Sequence, residues 1–283
     1  MYNAPFLKEL IRSSLEEDIG TGDITTMTVI DEDAEAFGTY TAKEDGIVFG
    51  LWIAGLVFSE LDPDVDFKPL VRDGDRVCAG DVIATVKGNA RSVLSGERVG
   101  LNFMQHLSGI ATRTRKAVDS VRGTGVRIAD TRKTTPGMRA LEKMAVRAGG
   151  GSNHRFNLAD GIMIKDNHIV AAGGIAAAVA AARANAPHTL KIEVEVENES
   201  QLEEALSAGA DIIMLDNMDI ESMRRAVSVV NGRAVTEASG NMGDRDLAEV
   251  ASTGVDIISI GALTHSVRAL DISLKFRIGP ERE

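Results

Sequence analysis

From about residue 125 onward the chain repeats one pattern six times, and that repetition restricts its fold more than any other feature. The short apolar runs "VRIAD", "GIMIKD", "LKIEVEVE", "DIIMLD", "RAVTEASG" and "VDIISIG" alternate with segments of helical character such as "MRALEKMAVRAG", "IVAAGGIAAAVAAARANA", "ESQLEEALSAGA", "DIESMRRAVSVVNG" and "DRDLAEVASTG". Strand–helix units in series build a parallel sheet with helices outside it. Such a sheet either curls into a (β/α) barrel or stays open and doubly wound. The run "LKIEVEVE" separates the two: Ile192, Val194 and Val196 fall on one face, Lys191, Glu193, Glu195 and Glu197 on the other. Inner strands of a doubly wound sheet are apolar on both faces. One polar face predicts an open (β/α) barrel with a partly polar interior.

The first part of the chain is written differently. "AEAFGTYTAKEDGIVFG" and "VDFKPLVRDGDRVCAGDVIATVKG" are strand-like, with Gly-Asp turns between short apolar runs. "LWIAGLVFSELDP" between them is apolar at helical spacing and stops at a proline. An N-terminal α/β sandwich follows, with strands like those of lipoyl carrier domains. The likeness is architectural, since no modifiable lysine stands in a short hairpin. "ERVGLNFMQHLSGIATRTRKAVDSVRGTG" reads as one long helix or two, with Leu101, Met104, Leu107 and Ile110 as its apolar stripe. The expected division is residues 1–112 and 113–283, with a last helix packing back on the first domain.

Several classes of function are disfavoured. The formal charge of −11 argues against nucleic acid or an anionic membrane as a partner, while leaving room for a local basic pocket. The single cysteine, Cys78, excludes an internal disulfide and multi-cysteine metal clusters. The opening "MYNAPFLKELIRSSLEEDIG" lacks a signal-peptide core and reads as an amphipathic helix with Leu7, Leu10, Ile11 and Leu15 on one face. No run approaches the roughly 20 apolar residues of a membrane span, and a cytoplasmic location is expected. No GxGxxG, GxxxxGK[ST] or GxSxG occurs, which disfavours Rossmann cofactors, P-loop nucleotides and serine hydrolysis. The absence of HExxH disfavours zinc.

Each barrel strand ends in polar residues: Asp130-Thr131-Arg132-Lys133, Lys165 to His168, Glu195 to Asn198, Asp216-Asn217, Glu237 to Gly240, and Gly261. In a parallel barrel these ends share one rim, where active sites of such folds lie. Arg132, Lys133, His154, Arg155 and Lys165 supply cations suited to carboxylate or phosphate. Glu195 and Asp216 supply carboxylates from adjacent strands, fit either to hold Mg²⁺ with few protein ligands or to pair with those cations. The glycine-rich "AGGGSNHRF" delivers His154 and Arg155, and "ASGN" and "IGAL" bring backbone N–H groups ahead of helices, as a phosphate requires. Among the histidines, His154 is the best ligand candidate; His106 reads as structural, His168 as a helix cap, His188 as solvated, and His265 as bonding a loop carbonyl.

The motifs "EEDIGTGDITT", "SGERVGLNFMQHLSGIAT", "DTRKTTPGMRALEKMAVRAGGGSNHR", "IKDNHI", "EVEVEN", "IIMLDN" and "GALTHS" resemble, in order, those of the quinolinate phosphoribosyltransferases. The resemblance runs from about residue 7 to residue 275. It implies transfer of phosphoribose from phosphoribosyl pyrophosphate (PRPP) to quinolinate, with loss of CO₂ and with Mg²⁺, in NAD biosynthesis. It also implies a homodimer with shared active sites, which can assemble further. By motif, Arg132, His154 and Arg155 hold the quinolinate carboxylates, with Thr131, Lys133 and Lys165 nearby. Glu195 and Asp216 face the ribose and Mg²⁺, directly or through water. Ser239, Gly240, Asn241, Gly261 and Ala262 lie at the 5′-phosphate, and Arg98 reaches the neighbouring subunit's site. Lys133, Lys165, Glu195 and Asp216 are the expected catalytic groups. A paralogue associated with molybdate transport, nicotinate phosphoribosyltransferase and a non-enzymatic anion carrier are the competing readings.

Overall fold

The computed structural model describes residues 5–278. They fall into two compact units, the residues up to 113 together with those from 267, and residues 114–266.

The first unit opens with α1 (Pro5–Ile19), whose Leu7, Ile11 and Leu15 recur every four residues and are buried. Asp23 caps α2 (Ile24–Val29) by accepting from the Thr26 N–H. β1 (Glu35–Ala42), β2 (Gly46–Ile47), α3 (Leu51–Leu61), β3 (Asp66–Pro69), β4 (Arg76–Val77), β5 (Val82–Asn89) and α4 (Ala90–Ser120), whose residues from Thr114 onward count with the second unit, follow. The last strand of the chain, β12 (Ile272–Ile278), completes a four-stranded antiparallel sheet in the order β12-β1-β5-β3. Along β1 every second residue points inward, so that Tyr40 and Ala42 join Leu51, Phe58, Val86 and Met104 in one core. Phe67 meets the Tyr40 ring edge-on at 5.6 Å.

Two expectations resolve here. α4 is one helix of 31 residues, its stripe Leu101, Met104, Leu107 and Ile110 buried. The last element is not a helix: "ISLKFRI" pairs antiparallel with β1 from Ala36↔Ile278 to Ala42↔Ile272. Its apolar residues Ile272, Leu274, Phe276 and Ile278 have period two, which suits a strand and not a helix.

In the second unit, β6 (Arg127–Ala129), α5 (Arg139–Ala148), β7 (Ile162–Ile164), α6 (Asp166–Ala172), α7 (Ile175–Asn185), β8 (Ile192–Val196), α8 (Glu199–Ser207), β9 (Ile212–Asp216), α9 (Ile220–Val230), β10 (Val235–Ser239), α10 (Leu247–Ala251), β11 (Ile257–Ser259) and α11 (Ala262–His265) alternate as the sequence requires. The strands form one parallel sheet in the order β6-β11-β10-β9-β8-β7. Among the described residues no ladder joins β6 to β7, and a single bridge, Ala129↔Ser152, lies beside β6. This is the open barrel expected. One helical segment differs from expectation: Gly173 and Gly174, at φ 85° and 134°, break "IVAAGGIAAAVAAARANA" into α6 and α7, bent by 87°. No single helix among the described residues is long and apolar enough to cross a membrane.

Candidate active site

At the C-terminal ends of the barrel strands lies a cavity of about 560 Å³. Thr131, Arg132, Lys133, His154, Arg155, Lys165, Glu195, Asp216, Ser239, Gly240, Asn241, Gly261 and Ala262 all line it. The alternation of a strand places them there, since Glu195, Asp216 and Ser239 follow inward-facing residues by two. Arg98 is exposed on α4 in the first unit and is not among the lining residues.

The cation loop after β6 is tied from several sides. Asp130, fully buried, accepts from Lys143 Nζ at 2.5 Å, Asn153 Nδ2 at 2.6 Å and the His154 backbone N–H at 2.8 Å. One carboxylate therefore joins the β6 end, α5 and the His154–Arg155 loop. Thr264 Oγ1 donates to the Lys133 carbonyl at 2.6 Å, and Arg139 donates to Thr134 Oγ1 at 3.0 Å. So held, Arg132 keeps its Nε buried with no hydrogen-bond partner. Arg155 donates to the Gly161 carbonyl at 2.9 Å, and burial together with the Arg132 charge pushes its pKa down. Two like charges converging on one cavity, one with an unsatisfied donor, are an arrangement that an anion completes.

After β7, Lys165 Nζ donates to Glu195 Oε2 at 2.8 Å. The Lys165 backbone N–H donates to His168 Nδ1 at 3.0 Å, so His168 caps α6. Asp216 accepts from Asn217 Nδ2 at 2.7 Å. The turn after β10 needs its glycine: Gly240 has φ 90°, and a Cβ there would sit 2.7 Å from the Asn217 backbone nitrogen. His265 bonds the Ser266 hydroxyl at 2.6 Å, not a loop carbonyl.

His154 lines the cavity and is also tied to groups of the protein itself. Its Nδ1 accepts the Arg155 backbone N–H at 2.7 Å, and its Nε2 lies 3.2 Å from Glu193 Oε2 and 3.6 Å from Glu237 Oε1. Both ring nitrogens are thus engaged within the protein. A backbone N–H can only donate, so in the neutral ring the hydrogen sits on Nε2 and faces the carboxylates. Burial alone pulls the His154 pKa down, but the hydrogen bond to Glu193 and the charges of Glu237 and Glu193 hold it above the ordinary value. Burial, and then the Glu193 charge, push Glu237 up to about 7. His154, Glu193 and Glu237 are close enough to hold a metal ion. The hydrogen on Nε2 argues against one, because a ligating nitrogen needs a free lone pair. The three groups form one cluster, an imidazole between two buried carboxylates.

Asp130, Lys143, Glu193 and Glu237, which hold His154 and its loop from behind the cavity wall, carried no role in the sequence reading. A signal existed for Glu193, which shares a face with Glu195 one step deeper in the barrel. A buried acid there needs a partner.

An open parallel barrel whose strand ends gather clustered cations, paired carboxylates and a glycine turn is an enzyme scaffold shaped for polyanions. The chain belongs to the quinolinate phosphoribosyl transferase family: residues 23–108 match its N-terminal domain and residues 110–275 its C-terminal domain. It is 49% identical over 275 residues to a probable carboxylating nicotinate-nucleotide pyrophosphorylase of Bacillus subtilis, covering 97% of this chain and 95% of that one. It is 44% identical to a chloroplastic carboxylating nicotinate-nucleotide pyrophosphorylase of Arabidopsis thaliana, over 95% of this chain and 82% of that one. The solved nicotinate-nucleotide pyrophosphorylase of Francisella tularensis superposes with a TM-score of 0.92 at 43% identity, over 96% of each chain.

Proposed function

We propose that the protein transfers phosphoribose from PRPP to the ring nitrogen of quinolinate and releases CO₂, giving nicotinate mononucleotide and pyrophosphate for NAD biosynthesis. The observation that carries this reading is the buried, unpartnered Arg132 Nε beside Arg155. A dicarboxylate supplies negative charge for both arginines and the acceptor that Arg132 lacks. Lys133 and Lys165 stand in the same cavity, and Ser239, Gly240, Asn241, Gly261 and Ala262 are assigned to the 5′-phosphate.

The chemistry follows from holding two polyanions in line. As pyrophosphate leaves, the ribose carbon gains positive charge, which the Glu195 carboxylate stabilises, while Lys133 and Lys165 offset charge on the leaving group. The pyridine nitrogen then bonds to that carbon. The alkylated ring is cationic and accepts the electron pair left when the 2-carboxylate departs as CO₂, and the ring carbon takes up a proton. Glu195 and Asp216 offer the hard oxygen donors that Mg²⁺ prefers, with room for water and substrate oxygens. When bound there, Mg²⁺ neutralises charge on the pyrophosphate.

The homodimer and the cytoplasmic location belong to this proposal, with Arg98 completing the site of a second copy. Incubation with PRPP, Mg²⁺ and quinolinate labelled in the 2-carboxylate tests the reaction. PRPP-dependent release of labelled CO₂ is expected. No release, together with turnover of nicotinate, sinks the reading.

A further inference from the structure

We propose that Glu193 is a positioning residue that sets Arg155 against the substrate anion by way of the His154 ring. The inference rests on the quinolinate reading above and assigns a role to a group at the barrel floor, below the cavity.

An unbroken series of contacts carries it. Glu193 Oε2 stands 3.2 Å from His154 Nε2, and His154 Nδ1 accepts the Arg155 backbone N–H at 2.7 Å. The His154 backbone is held independently, its N–H by Asp130 at 2.8 Å and its carbonyl by Lys143 Nζ at 3.1 Å. With those points fixed, the remaining freedom of the ring is rotation about its own side-chain bonds, and Glu193 arrests it. The ring in turn fixes the peptide from which the Arg155 side chain departs.

Such a strut has physical reasons to exist. The loop follows Gly149-Gly150-Gly151, and Gly150 adopts φ 91°, so its entry offers little stiffness of its own. Arg155 must also stay beside a like charge, Arg132, in a partly desolvated place. Glu193 itself is 4% exposed, and its Oε1 has no partner. A buried carboxylate with one idle oxygen costs stability, which a purely structural position would avoid by being apolar.

The test compares full-length Glu193→Ala with Glu193→Gln, measuring KM for quinolinate and for PRPP separately. Losing one buried hydrogen bond to the ring predicts a rise of about tenfold in KM for quinolinate, with KM for PRPP unchanged. Glu193→Gln restores the wild-type value, because its amide oxygen accepts the same N–H. In wild-type protein, ¹⁵N NMR followed to a pH above the raised His154 pKa, where the ring has lost its charge, is expected to show the neutral ring with its hydrogen on Nε2. Equal losses for both substrates, an unchanged KM for quinolinate, or a hydrogen on Nδ1 overturns the proposal. Should Glu193→Ala not fold, the Gln variant and the NMR measurement decide. If the wild-type protein turns over no quinolinate at all, the reaction assignment fails, and the NMR tautomer still judges the strut.

Discussion

Lys165 Nζ and Glu195 Oε2 lie 2.8 Å apart, a bond that joins the ends of neighbouring parallel strands β7 and β8 inside the cavity. Lys165 is 44% exposed and Glu195 17%, so the pair adds little to stability. In the proposed reaction its value lies in pre-placing two opposite charges at the cavity wall. Glu195→Gln is expected to lower kcat by about 100-fold or more while thermal unfolding stays where it is. Steady-state kinetics with a parallel melting curve check both halves.

Arg132 offers a donor with no protein partner, so its removal costs ligand affinity and not fold. Arg132→Ala is expected to abolish measurable quinolinate binding by calorimetry with an unchanged melting temperature. Arg132→Lys should not restore it, since an ammonium cannot reproduce a planar two-pronged donor. Retained affinity in the alanine variant would show the arginine to be structural.

Asp130 and Lys143 behave in the opposite way. Both are buried, 0% and 3% exposed, and each neutralises the other. Removing one alone, as in Lys143→Met, leaves an unpaired buried charge and is expected to destabilise by about 3–5 kcal/mol. The double variant Asp130→Asn with Lys143→Met should recover part of that loss in chemical denaturation.

Glu237 links stability to pH. Its pKa is raised from 4.5 to about 7 by burial and then by Glu193, so folding favours the protonated acid. Its contribution is complete below the unfolded value near 4.5 and is lost as pH rises through 7; the raised His154 acts in the same direction. Glu237→Gln imitates the neutral acid. It should flatten the fall in stability between about pH 5 and pH 8, with a ceiling of roughly 3 kcal/mol, seen as a melting temperature that exceeds wild type on the alkaline side.

The barrel and its rim were legible because both rest on short-range rules. Strand runs alternate with helices, and the face of "LKIEVEVE" that carries Glu195 is polar by simple parity. What a residue's partner is depends on contacts distant in the chain. His154 meets Glu193 and Glu237 across 39 and 83 positions, and nothing in "GGSNHR" says that both ring nitrogens are taken. The last strand was misread for a different reason. "ISLKFRI" has the period of a strand, yet its partner, β1, lies more than 200 residues earlier.

That last pairing bears on how the molecule is made. β1 is an inner strand of its sheet, between β5 and β12, yet β12 is synthesised only after the whole barrel that separates them in the chain. While the intervening barrel is being synthesised, one flank of β1 offers unpaired N–H and C=O groups to any extended chain nearby. Neighbouring nascent copies, or a chaperone, meet an open edge for the whole of that interval. A sheet begun ahead of the barrel is therefore closed only behind it.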